Sequence, residues 1–241
     1  MKMLFLELKK EKRTGVFSVM MTVGILGAGY EFADFAVRGE TFLHLSLAPM
    51  EMLLTQLYGM VMVLNLFGIV VAACLSYYVE WKENGIKKMY LLPLNLSSMY
   101  VCKFLVIMMA LLGAVFLENL SLTKIGCSVF SPNTFEAGTQ IRFAGYSFLT
   151  SLPVLSFMVL IASRFENIWI PLGVGVAGFL SGIALAHIKS MFFLIHPFIL
   201  MLKPALAMDT RLEGEVVYAA LAETFLFLLA GAWMAKHKGY E

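Results

Sequence analysis

Residues 76–104 read SYYVEWKENGIKKMYLLPLNLSSMYVCKF. Between the apolar runs Met52 to Tyr78 and Tyr100 to Leu120, this stretch sets Glu80, Lys82, Glu83, Lys87 and Lys88, punctuated by the Asn84-Gly85 pair and Pro93. A hydrocarbon core about 30 Å thick needs roughly 20 apolar residues of helix to cross it. The two flanking runs are therefore membrane spans, and the charged island between them is the segment that joins them on one face of the bilayer.

Working outward, the same reading extends over the chain. Its 241 residues are 60% hydrophobic and 14% charged, whereas a soluble domain carries about a quarter charged residues. Six spans are expected: about Val16 to Val37, Met52 to Tyr78, Tyr100 to Leu120, Ile141 to Ser163, Ile168 to His187 and Val216 to Ala235. Ile188 to Met208 is also apolar, but Pro197 and Pro204 divide it into short pieces, which predicts a re-entrant hairpin between the fifth and sixth spans. No repeat or linker interrupts the sequence, so residues 1–241 read as one all-α integral membrane domain.

Of the 18 Lys and Arg residues, twelve fall on the segments that are inside when both termini are cytoplasmic, and six fall outside. That asymmetry favours a multi-pass protein with both ends in the cytoplasm. The basic residues form no single stripe, which gives no indication of nucleic acid. Cys74, Cys102 and Cys127 lie far apart without metal-ligand spacing, and His187 and His196 lack a zinc motif, so neither a disulfide framework nor a metal site is expected.

Within the island, Glu83 precedes Lys87 by four residues, and Ile86, Met89 and Tyr90 share a face, as in a short amphipathic helix. Pro93 disfavours helix at Leu92, and Asn95, Ser97 or Ser98 can cap the helix that follows. A solvated loop is the alternative. The pattern Glu80-x-x-Glu83-x-Gly85-x-Lys87-x5-Pro93, followed by Lys103, resembles the loop after the second span in permeases of the type-2 ABC exporter class. The N-terminal ELKKEKRTG, Glu7 to Gly15, is similar to the approach to the first span in the lantibiotic-immunity, or self-protection, branch of that class.

The resemblance implies a cytoplasmic coupling helix in which Glu80, Trp81, Glu83, Gly85, Lys87 and Pro93 contact a separate soluble ATPase. It also implies an N-terminal amphipathic helix along the inner leaflet, with Phe5 and its apolar neighbours Met3, Leu4, Leu6 and Leu8 in the lipid interface and Lys9, Lys10, Lys12 and Arg13 toward anionic headgroups. The implied assembly comprises two ATPase subunits and a second permease, identical or homologous, in a bacterial cytoplasmic membrane. Its implied cargo is a cationic, lantibiotic-like peptide. Another peptide, a drug or a lipid-linked compound remains open as cargo, as do an intramembrane enzyme and a membrane scaffold.

The chain has no G-x-x-x-x-G-K-[ST] and no Gly-Lys pair, so ATP and Mg are expected on the partner and no cofactor on this chain. Gly173-Val-Gly175-Val-Ala-Gly178 spells G-x-G-x-x-G inside an apolar span. There Gly175, Gly178 and Gly182 read as helix packing rather than dinucleotide binding. Glu223, about 12 Å inside the last span, is expected either on the wall of a substrate cavity or bonded to a polar group such as Asn65. Glu31 and Asp34 are expected at the outer interface. With Glu40, Glu51, Glu118, Glu136, Asp209, Glu213 and Glu215 they make nine outer acids against six bases, a balance that attracts cations weakly through salt.

Overall fold

A computed structural model describes residues 2–43, 48–82, 96–129, 135–185, 194–206 and 210–237. Among the described residues the chain is helical and contains no strand. The helices are α1 (Lys2–Thr14), α2 (Val16–Leu43), α3 (Tyr58–Lys82), α4 (Leu96–Val129), α5 (Ala137–Ala162), α6 (Trp169–Leu185), α7 (Pro197–Leu206) and α8 (Gly214–Lys236). A π-helical stretch, Met52–Leu57, runs directly into α3.

Five of these helices are long and apolar enough to cross a membrane: Val16–Thr41, Met52–Lys82, Leu96–Val129, Ala137–Ala162 and Gly214–Lys236. The expected fifth span, Ile168 to His187, corresponds to α6, whose 17 described residues reach about 26 Å along a helix. In the expected hairpin, Pro197 begins α7 after non-helical His196, as a break there predicts, while Pro204 lies within α7, which corrects the reading of that proline as a break. Pro197 occupies the first helical position, where no N–H is needed, whereas Pro204 lacks the N–H that would bond Leu200 O, and the helix ends two residues later. The rest of the expected hairpin, 188–193 and 207–208, lies outside the described residues.

Close helix contact is achieved through small residues, as it must be where lipid offers no hydrophobic drive between spans. A Cβ on Gly24 of α2 would lie 2.8 Å from the backbone of Ala114 of α4. The main core joins α2, α3, α4 and α5 through side chains such as Met20, Ile69, Ile107 and Leu155, all completely buried. A second core is formed by Leu53, Leu57, Tyr58, Leu122 and Phe143 at the opposite end of the bundle.

Two hydrogen bonds define the ends. Ser97 Oγ at the start of α4 donates to Ala232 O near the end of α8 at 2.7 Å. Gln140 Nε2 at the start of α5 donates to Asn119 O toward the far end of α4 at 2.8 Å. The start of α4 and the end of α8 thus share one end of the bundle, and the ion pairs of Lys103 with Glu80 and with Glu11 bring the end of α3 and the α1–α2 junction to it.

Candidate functional site

At that shared end, α1 does not simply lie on the surface. Glu7 and Glu11 are four residues apart, so they point to one face of α1, and both are buried. Lys103 Nζ, on the first turns of α4, is fully buried and lies 2.6 Å from Glu7 Oε1, 2.9 Å from Glu11 Oε1 and 2.8 Å from Glu80 Oε1. Lys103 also donates to Ser76 O at 3.2 Å, Ser76 Oγ donates to Glu11 Oε1 at 2.8 Å, and the ammonium stands 5.2 Å from the centre of the Tyr77 ring. Lys10 adds a second ammonium by pairing with Glu80.

Three carboxylates and two ammoniums therefore join α1, the last turns of α3 and the first turns of α4. Burying any one of these charges alone would be prohibitive, so the five are mutually dependent. Gly15, with φ of 87°, adopts the left-handed backbone that turns α1 into α2 and keeps α1 against the cluster.

This geometry revises several expectations. Glu80, read as an ATPase contact, turns inward and is bonded to Lys103, so its carboxylate is not presented to a partner. Lys10, read as facing headgroups, is half-buried on Glu80. Trp81 packs against the main core. Phe5 and Leu6 are 70% and 62% exposed and Lys9 is exposed, on the side of α1 away from the cluster. Glu83, Gly85, Lys87 and Pro93, and the side chains of Lys12 and Arg13, lie outside the described residues.

A second polar group sits within the bundle toward the other end. Glu118 Oε2 accepts from Asn65 Nδ2 at 2.9 Å and from the Tyr58 hydroxyl at 3.2 Å. Asn65 is therefore bonded to Glu118 and not to Glu223, whose two carboxylate oxygens have no hydrogen-bond partner among the described residues. The structure does not bring Glu223 and Asn65 together. Glu31, expected at the water interface, is 0% exposed, and Glu118 is equally buried. Asp34, one turn further along α2, does reach the surface side, where it pairs with Arg38 at 2.5 Å.

Gly175, Gly178 and Gly182 line the face of α6 turned to α3 and α7. A Cβ at Gly175 would lie 2.6 Å from Val70, one at Gly178 would overlap the Phe198 ring, and one at Gly182 would lie 3.1 Å from Phe198 Cβ. Among the described residues no strand precedes them. His196 stands 3.2 Å from Ser181 through its Nε2, and burial pushes its imidazole below its usual pKa, toward the neutral form. His187 lies outside the described residues. Between α4 and α5 an apolar groove of about 450 Å³ is lined by Leu112, Phe116, Ile141 and Phe148, with Asn119 and Gln140 as its polar floor.

Neither Glu7, Glu11 nor the full burial of Lys103 was anticipated from sequence, although Lys103 itself stands in the quoted stretch. The available signal was the i, i+4 acid pair in an otherwise basic N-terminal segment. Comparison with curated proteins and with solved structures yields no match. The family model described as ABC-2 family transporter protein matches residues 3–182, a stretch that contains the whole ion cluster, the Glu118 group and the glycine face of α6. The chain therefore belongs to the ABC-2 family of transporter proteins, whose members are multi-pass permease subunits, not themselves catalytic, that work with separate ABC ATPase subunits and dimerise.

Proposed function

We propose that this permease belongs to an exporter that expels a cationic, lantibiotic-like antimicrobial peptide from the cytoplasmic membrane for self-protection. Two ATPase subunits, holding ATP and Mg, drive a dimer of this chain with itself or with a homologous permease. Each ATPase grips the cytoplasmic segment 79–99, in which Glu83, Gly85, Lys87 and Pro93 form the contact. The peptide cargo is supported by the resemblance of Glu7 to Gly15 to the self-protection branch. Surface charge adds little, because burial of Glu31 and Glu118 leaves seven outer acids against six bases.

The observation that carries the coupling role is the ion cluster. It holds both ends of the charged island, Glu80 on one side and Lys103 on the other, to α1. A push on the island is therefore delivered to α1, α3 and α4 together, since moving one of them alone would strand buried charge. ATPase closure then tilts these helices as a unit and narrows the cavity that the two permeases share. Glu223 faces that cavity, and Phe5, Leu6 and Lys9 seat α1 in the inner leaflet.

Six crossings are supported by parity. Since α2 starts and α8 finishes at the same end of the bundle, the number of crossings between them is even. The sixth is α6, at about 26 Å only slightly shorter than the hydrocarbon core.

Co-purification in mild detergent with the cognate ATPase tests the reading. Glu83→Ala and Gly85→Leu are expected to lower ATPase recovery at least tenfold while leaving membrane insertion and thermal stability unchanged, a loss of about 1.4 kcal/mol or more in association. Full ATPase recovery with both variants would remove the coupling role from the island.

A further inference from the structure

The Glu31 and Glu118 carboxyls have no part in the coupling reading, and their surroundings are unusual for acids inside a membrane. Gly27 and Glu31 are four residues apart and so share one face of α2. Glu118 of α4 packs on that face, because a Cβ on Gly27 would lie 3.1 Å from Glu118 Oε1. This places Oε1 one helical turn from Glu31, on the face that α2 turns to α4.

Four oxygens at this point have no hydrogen-bond donor among the described residues: both of Glu31, Oε1 of Glu118 and Oδ1 of Asn65. All three residues are at most 2% exposed. From α3 the facing groups are Tyr58 and Asn65, each of which donates to Glu118 Oε2, and from α5 it is Ser147, beside the Tyr58 hydroxyl. Elsewhere on the packed elements, Asp34 and Arg38 satisfy each other, Glu51 is partly exposed where the chain enters α3, and Lys124 and Arg142 are exposed. Neither Glu31 oxygen receives a hydrogen bond from any of these groups.

Two adjacent carboxylates in a medium of low dielectric cannot both remain ionised, and a surplus of acceptors requires a donor. The missing species is positive, and it occupies a point closed to bulk solvent. We infer that Glu31 and Glu118 form a membrane-embedded proton-binding pair that holds one proton at neutral pH, with Glu31 donating it to Glu118 Oε1. The proton comes from bulk water and returns to it, so no other reactant is required. Because the two acids are on α2 and α4, releasing it requires these helices to part, which ties protonation to their packing.

Infrared spectroscopy of the full chain in lipid nanodiscs tests this, in a Glu223→Gln background that removes the other acid with both oxygens unpartnered among the described residues. A protonated-carboxyl C=O band that shifts in D2O is expected at neutral pH and should be lost in Glu31→Gln. Should Glu31→Gln fail to fold, Glu118→Gln serves, since removing the acceptor must shift the frequency of the same band. Absence of the band at neutral pH, or a band that neither substitution alters, would overturn the proton site. So would a thermal unfolding temperature raised by Na⁺ or Ca²⁺ in the parent but not in Glu31→Gln, because the site would then hold a metal ion.

Discussion

Lys103 shows how one residue can be conspicuous in a sequence while its environment is hidden. It stands at the head of a span among the inner basic residues, yet it is fully buried beneath three carboxylates. The partner Glu11 is 92 residues away, and no local pattern connects residues at that separation. Lys103→Met should leave Glu7, Glu11 and Glu80 with Lys10 alone, a loss of about 3–5 kcal/mol. Thermal unfolding in detergent would read this as a large downward shift. Combining Lys103→Met with Glu7→Gln, Glu11→Gln and Glu80→Gln should recover most of it, because removing all the buried charges also removes their desolvation cost. Failure of the combined variant to exceed Lys103→Met would show that the cluster acts through shape and not through charge.

At the scale of elements, hydrophobic length and small-residue spacing were informative, whereas partners were not. The run from Tyr100 to Leu120 was readable as a span, but α4 continues from Leu96 to Val129, because Ser97, Asn119 and Thr123 find hydrogen-bond partners that let polar residues stay helical. Likewise Gly178 and Gly182 were legible as a packing face, but Phe198 of α7 as the ring against it was not, since α7 falls in a stretch that its prolines appeared to break. Gly178→Leu should drive its side chain into the Phe198 ring and destabilise the α6–α7 contact by about 1–3 kcal/mol. Gly173→Leu, with open space around its Cβ, should be nearly silent. Thermal unfolding of the two variants gives the comparison, and Gly178→Leu with Phe198→Ala should regain part of the loss. Equal stability of Gly173→Leu and Gly178→Leu would mean that α6 does not pack on α7 in the membrane.

For the whole molecule, the sequence settles solvent and class, because composition and span length are global properties, but the relative placement of the ends comes from contacts. The ion cluster puts α1 beside the ends of α3 and α4, and the Ser97 bond puts the end of α8 there too. Lys9 and Lys236 therefore share a membrane face, and Lys124, exposed near the far end of α4, belongs to the other. The orientation proposed from the twelve basic residues against six puts the first face in the cytoplasm. A membrane-impermeant amine reagent applied to intact cells should accordingly modify Lys124 and spare Lys9, Lys87, Lys88 and Lys236, whereas permeabilised cells should show modification of Lys9 and Lys236 as well. Peptide mapping by mass spectrometry distinguishes the sites. Modification of Lys9 or Lys87 from outside intact cells would place the island beyond the reach of any cytoplasmic ATPase, and the ion cluster would then have to serve an extracellular or purely structural end.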